Sequence, residues 1–288
     1  KEQFKTSKLV EFDKDAKEIF KKPKNIQGVV GDKSFTINVQ DIPVSEISKW
    51  HRSHGGNYNL KYSNTSQINK KNVNNLKLLW KFKSLDEESM KTKWTNSIQI
   101  NPIYLNNKLI AVLPGDKLLA FNPSNGKILW EFSSDKGRPT RRGITGYVDK
   151  NGNEYIFIGF GKSLFKLNSK NGLIEKKFGS EGSINVIAKT APLIFKDKLI
   201  LASLKNVEIY DLNTGKFINK IKIHKKSNMK FGGVVWGGSA LDEKNGLLFV
   251  TTGNPKPGTY GAERPGKNER SNSVVAIDLL NNKVAWSF

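Results

Sequence analysis

The stretch 119–132, LAFNPSNGKILWEF, decides how this chain folds, because its form returns as LFKLNSKNGLIEKKF at 164–178, VEIYDLNTGKFINKI at 207–221 and VVAIDLLNNKVAWSF at 274–288. Each copy reads as strand, turn, strand. Apolar pairs (Leu119 and Phe121, Leu164 and Leu167, Val207 and Ile209, Val275 and Ile277) describe half-buried strands. An Asn or Asp opens each turn, and Gly126, Gly172, Gly215 or Asn282 supplies the positive φ that a tight hairpin needs. These four positions lie 46, 43 and 67 residues apart. Such intervals fit four-stranded blades of about 40–50 residues, the last lengthened by an insertion.

Working outward, a second signature precedes the first in alternate copies: INPIYLNNKLIAVL at 100–113 and TAPLIFKDKLILASL at 190–204. Each reads as a hairpin, turning at Asn106-Asn107 or Lys196-Asp197, that supplies the inner strands of a blade. Trp80, Trp130 and Trp286 fall at one place in their repeats, where a flat ring can pack between neighbouring blades. The predicted fold class is therefore all-β, a β-propeller of four-stranded blades. About five blades are expected, ending near Phe82, Phe132, Phe178, Ile221 and Phe288. Residues 1–49 read as an irregular lysine-rich leader holding the one helical pattern, KDAKEIFK at 14–21, and 50–288 as part of a propeller domain. The chain stops directly after a blade strand, so the expectation is that it is cut from a larger ring.

Composition narrows the function classes. With 288 residues, 37% hydrophobic, there is ample material for a core, and no apolar run approaches the ~20 residues of a membrane helix. The absence of cysteine excludes disulfides, zinc fingers and thiol nucleophiles. His51, His54 and His224 leave little for metal or acid–base work; the first two read as loop residues and the third as surface. A net charge of +22 invites a nucleic-acid reading, but 42 of the 48 basic residues are lysines scattered through every segment. Base readout and stacking favour clustered Arg and aromatics, so no nucleic-acid partner is expected. No hydrolase motif stands out, and Asp242-Glu243 reads as hairpin-turn chemistry.

The stretch HGGNYNLKYSNTSQINKKNVNNLKLLWKF (54–82) resembles the entry motif of the pyrroloquinoline quinone (PQQ)-dependent dehydrogenases, the quinoprotein alcohol and glucose dehydrogenase family. The likeness continues through 98–132, RRGITGY (141–147), FGGVVWGGSALDEKNGLLFVTTGNPKP (231–257) and 260–288. It implies an eight-bladed propeller with PQQ on its axis beside Ca²⁺ or Mg²⁺. The implied reaction is oxidation of sugar or alcohol CH–OH groups in the periplasm or cell envelope, with a quinone or cytochrome as electron acceptor.

Carried over residue by residue, the resemblance makes Trp236 the ring that floors the quinone and Arg142 a partner of a PQQ carboxylate. Gln99 and Thr190 become polar cofactor contacts, and Asn254, 18 residues after Trp236, a metal ligand through its amide oxygen. Each has a plainer alternative. Trp236 can also be read as an inter-blade ring, Asn254 as a turn residue, Arg142 or its neighbour Arg141 as surface charge, and Gln99 and Thr190 as satisfied channel polar groups. Two departures stand out: the cysteine pair of the alcohol dehydrogenases is absent, and ILASLKNVEIYDLNTG (200–215) lacks the family's carboxylate metal ligand, for which Glu208 is a poor substitute. The resemblance places the catalytic groups C-terminal to Phe288. A non-catalytic propeller serving as a protein-binding scaffold in the cell envelope, as in outer-membrane assembly lipoproteins that share the repeat, is the alternative reading.

Overall fold

A computed structural model describes residues 49–84, 99–224, 233–258 and 268–288. The predicted leader, with its helical pattern at 14–21, lies outside the described residues apart from position 49. The described part is built on four antiparallel four-stranded sheets, each formed from strands consecutive in sequence. The first contains β1 (Ile103–Leu105), β2 (Lys108–Leu113), β3 (Lys117–Phe121) and β4 (Ile128–Phe132). The second contains β5 (Thr145–Val148), β6 (Glu154–Phe160), β7 (Ser163–Asn168) and β8 (Ser183–Asn185). The third contains β9 (Leu193–Phe195), β10 (Lys198–Ser203), β11 (Asn206–Asp211) and β12 (Phe217–Lys222). The fourth contains β13 (Ala240–Asp242), β14 (Leu247–Thr251), β15 (Val274–Asp278) and β16 (Lys283–Ser287). No helix among the described residues is long and apolar enough to cross a membrane.

The turns behave as the repeat predicts. Gly126, Gly172, Gly215 and Asn282 have φ of 71, 74, 70 and 53°. In the first three the glycine N–H donates back to the residue that opens the turn, Asn122, Asn168 or Asp211, at 2.9 Å. The β1–β2 hairpin turns through Asn106 and Asn107, both with positive φ, as a two-residue type I′ connection requires.

The second copy departs from the expected form. After Gly172 only an isolated bridge, Leu167 to Ile174, continues the hairpin, and the sheet is completed by β8 against Ser163–Phe165. Phe178, expected to end that blade's strand, is instead fully buried between the second and third sheets. The first expected blade also differs, because residues 76–84 carry no strand. Trp80 nevertheless packs on Phe121 of the first sheet, at 5.8 Å between ring centroids.

Three apolar layers lie between successive sheets and cover the surfaces that face one another. Ile103, Ile110 and Leu118 meet Ile156, Ile158 and Phe160; Phe157 and Leu164 meet Leu199 and Leu201; Ile200 and Val207 meet Leu248 and Val275. Burial of both faces is confined to middle strands such as β2, β6 and β10, which read as near-continuous apolar runs, while the outer β4, β12 and β16 stay largely exposed.

The segment Trp50–Asn57 ties the inner strands together. Tyr104 N–H of β1 donates to Trp50 O at 2.8 Å, and Gly146 N–H of β5 to His51 O at 2.6 Å. The Asn57 amide donates to Ile194 O of β9 at 3.0 Å, and Leu241 N–H of β13 to Asn57 O at 2.8 Å. At its centre Arg52 is fully buried and donates to the carbonyls of Pro192, Gly56 and Ala191 at 3.0, 3.2 and 3.2 Å. Among the described residues one eight-residue strap thus touches the innermost strand of all four sheets.

Candidate functional site

Each inner strand is preceded by a short non-strand approach; Gln99, Arg142, Thr190 and Trp236 lie on these approaches, and Asn254 lies just after β14. The fourth approach runs beside the third sheet: Val235 N–H donates to Leu204 O at 2.6 Å, and Val235 also bridges Thr252. Gly253 N–H donates to Val234 O at 3.0 Å, and Gly233 N–H to Asn254 O at 2.8 Å. This double pairing sets the Trp236 indole directly against Gly253. A Cβ there would collide with the ring, so a glycine is needed at that place.

Trp236 is 48% exposed, whereas Trp130 is 7% exposed. One indole is thus an open platform and the other a buried wedge. Over the Trp236 ring lies the Arg142 guanidinium, its Cζ 4.7 Å from the centroid, within cation–π range. Trp236, Arg142, Gly253 and the following Asn254 are therefore brought together from separate parts of the chain. Gln99 and Arg142 line a common cleft of about 330 Å³ with Arg138, Arg141 and Lys189. Thr190 is buried, and its hydroxyl donates to Ala202 O at 3.0 Å, joining the third approach to β10.

The donor set fits one of the two groups the resemblance implies and not the other. An exposed indole beside a guanidinium fits a planar aromatic that carries carboxylates, by stacking and by a bidentate ion pair. A hard divalent cation fits poorly. Asn254 presents its amide at an exposed position, but no cluster of three His, Asp or Glu groups occurs among the described residues. Where the family's carboxylate was expected, β10 and β11 are joined by a tight turn at Leu204-Lys205, closed by the pair Ser203 and Asn206. Glu208 is held within the sheet, 2.8 Å from Lys220 Nζ and accepting a hydrogen bond from the Tyr210 hydroxyl at 2.8 Å. Among the described residues, then, no group of three acidic or imidazole ligands stands ready for Ca²⁺ or Mg²⁺.

Histidines fall elsewhere. His51 lies in the strap, its pKa pulled down from 6.5 to about 4 by burial and by Lys49 and Arg52. His54 is lowered in the same way, by burial and then by Lys61 and Arg52. His224 pairs with the carbonyls of Gly233 and Glu269. Three features were not read from the sequence: the buried Arg52, the packing of Gly253 on Trp236, and the gathering of Arg138 and Arg141 beside Arg142. Only the last left a trace there, as three of six arginines within five residues.

The family described as PQQ, glucose/ethanol/alcohol dehydrogenase, beta-propeller domain, matches residues 50–288. The chain is 24% identical to quinoprotein glucose dehydrogenase A of Acinetobacter calcoaceticus, over 94% of this chain and 41% of that protein. It is 26% identical to the dehydrogenase subunit of the quinone-linked alcohol dehydrogenase of Gluconobacter oxydans, over 82% of this chain and 37% of that one. It thus spans about 40% of the length of these curated relatives. Among solved structures, a europium-containing methanol dehydrogenase superposes with a TM-score of 0.63 at 19% identity, over 85% of this chain and 49% of that one. The quinohemoprotein alcohol dehydrogenase of Comamonas testosteroni gives 0.63 at 17% identity, over 86% and 43%. These structural likenesses establish the propeller fold.

Proposed function

The chain belongs to the glucose/ethanol/alcohol dehydrogenase β-propeller family of quinoproteins, and on that premise we propose that residues 50–288 are the quinone-holding part of a PQQ-dependent dehydrogenase acting on CH–OH groups of sugars or alcohols. The observation that carries the reading is the convergence of an exposed Trp236 ring with the Arg142 guanidinium 4.7 Å above it. A scaffold needs no open indole under a guanidinium.

PQQ, when bound, supplies a two-electron acceptor for the hydrogen leaving the substrate carbon. The residues of this chain bind and orient. Trp236 offers the stacking face, and Gly253 behind it prevents the indole from sinking away. Arg142 turns from the ring to a carboxylate, and Gln99 adds a polar contact at the cleft. Thr190 holds the third approach on β10, with its oxygen lone pairs left as acceptors. Electrons pass onward to a quinone or cytochrome, and the protein works in the periplasm or cell envelope.

The tight Leu204-Lys205 turn, and the lack of any group of three acidic or imidazole ligands among the described residues, favour a second reading in which the propeller is a non-catalytic scaffold. PQQ titration against the chain, followed by indole fluorescence, separates the two. The enzyme reading expects saturable one-to-one quenching that disappears in Trp236→Leu. No quenching in a folded chain would leave the scaffold.

A further inference from the structure

We infer that Thr140 is a positioning residue: its hydroxyl holds Arg142 over the Trp236 ring, and through that placement sets how tightly the site takes its quinone. The second half rests on the quinone reading above; the first does not. A guanidinium on its long stem samples many rotamers, and keeping it over one ring face costs conformational entropy. It rests 4.7 Å from the indole centroid, a place it can keep only if the backbone beneath it is fixed relative to the backbone that carries Trp236. Those two backbones belong to the second and fourth approaches.

Thr140 fastens the second approach to the third. Its N–H donates to Gly159 O and its hydroxyl to Lys189 O, both at 2.7 Å, and the same hydroxyl oxygen accepts the Arg142 N–H at 3.4 Å. One oxygen therefore closes the turn that leads into Arg142, as a threonine two residues ahead of its donor can, and ties that turn to the neighbouring approach. On the other side of Arg142, a Cβ on Gly143 would run into Ala191, so the two approaches are pressed together there as well. Arg142 is bracketed by these two contacts.

The third approach is anchored in turn on β10 by the Thr190 hydroxyl, which donates to Ala202 O at 3.0 Å. The fourth is anchored just past that strand, where Val235 N–H donates to Leu204 O at 2.6 Å. Guanidinium and indole thus take their places from the same end of β10, and Thr140 is the link in this series that carries the N–H of Arg142 itself. Thr140 lines the cleft with Gln99 and Arg142, but its hydroxyl proton is committed to Lys189 O, so its effect on a bound molecule runs through Arg142.

Thr140→Val keeps the shape of the side chain and removes the hydroxyl. The emission of Trp236 is isolated as the difference between each chain and the same chain carrying Trp236→Leu, with no quinone present. The difference emission is expected to shift in Thr140→Val in the direction seen in Arg142→Gln, and to return in Thr140→Ser. PQQ binding should weaken about three- to tenfold, the scale of one long side chain that must be ordered on binding. Thr145→Val controls for a merely structural role, because the Thr145 hydroxyl also ties an inner strand to the third approach, on Pro192 O at 2.6 Å. Its loss should lower the urea midpoint without moving the difference emission. Thr140→Ala takes the place of valine should the valine chain not fold. Unchanged difference emission in Thr140→Val, a shift that serine does not reverse, or an equal shift in Thr145→Val would overturn the positioning role. A shifted emission with unchanged PQQ affinity would overturn its effect on the quinone while leaving the quinone reading in place. If the parent chain takes up no PQQ while the emission results hold, the quinone reading falls and Thr140 still positions Arg142.

Discussion

Trp130, on β4 of the first sheet, lies against Gly172 in a turn of the second, and its indole N–H reaches past to donate to Ser169 O at 2.9 Å. A Cβ on Gly172 would come within 2.7 Å of the ring. Trp80 repeats the relationship one step earlier, against Gly126 and with its N–H on Pro123 O at 2.8 Å. The turn glycine therefore answers two demands at once: positive φ for its own hairpin and a flat bed for the neighbour's ring.

Replacing Trp130 by Ala is expected to destabilise the chain by about 3–5 kcal/mol, as for a buried aromatic that leaves a cavity. Gly172→Ala should cost more than the roughly 1–2 kcal/mol of a left-handed backbone alone, since the ring must also move. Urea unfolding of both variants measures this, and a near-neutral Trp130→Ala would refute the wedge.

Trp236→Ala should behave oppositely. Its ring is half exposed, so the loss of stability should be well below that of Trp130→Ala, about 1–2 kcal/mol, and leave the sheets folded. PQQ binding, followed by equilibrium dialysis, should be lost. An unfolded W236A beside an intact W130A would reverse the two assignments.

Arg142→Gln keeps a hydrogen-bonding side chain but removes the charge from above the indole. PQQ affinity is expected to fall about tenfold or more, the scale of a charge-assisted bond. The intrinsic emission of Trp236 should shift as the cation leaves. Unchanged affinity would assign the carboxylate to another group.

Arg52→Met retains length and loses three bonds to carbonyls. Pro192 O keeps the Thr145 hydroxyl and Gly56 O the Asn59 N–H, so Ala191 O is the carbonyl that loses its donor, and a loss of about 1–3 kcal/mol is expected, with the strap loosened from the second and third sheets. Hydrogen exchange at Gly146 and Leu241, whose N–H groups bond to the strap, should accelerate together. Exchange unchanged at both would show that the strap does not depend on Arg52.

His51 makes the fold sensitive to acid. The unfolded chain takes up its proton near pH 6.5, the folded one only near 4. Between those values the unfolded state binds more protons, so stability is full above about 6.5 and declines as pH falls toward 4. His54 acts in the same direction. His51→Asn should flatten the fall in Tm between pH 7 and 4.5; an unaltered slope would assign it to other groups.

Much of the fold was legible because a hairpin is local. The turn residues at 122–126 and 211–215 and the alternation on either side specify strand, turn, strand without reference to anything distant. The same rule misplaced the outer strand of the second sheet, because Phe178 is drawn into the apolar layer between sheets and leaves β8 to form further on. The strap was illegible. Its residues read as a polar loop, and nothing local says that Arg52 will find three carbonyls, two of them about 140 residues away. Among the candidate site residues, Trp236 and Asn254 were paired by the family resemblance, whereas the placing of Arg142 over the indole could not be read.

By itself the sequence determined that this is an all-β chain of repeated four-stranded units, with a flat ring and a turn glycine at matching places in the repeat, because turn conformation and strand alternation depend on a few neighbouring residues. It also carried the motifs that place the chain in its family. Only the tertiary structure decided which tryptophan is wedge and which is platform, that Glu208 is held within its sheet, and that the arginines of 138–142 share a cleft with Gln99 and Lys189. Those outcomes depend on which approaches lie side by side once the sheets stack, and that is set by apolar layers assembled from residues far apart in the chain.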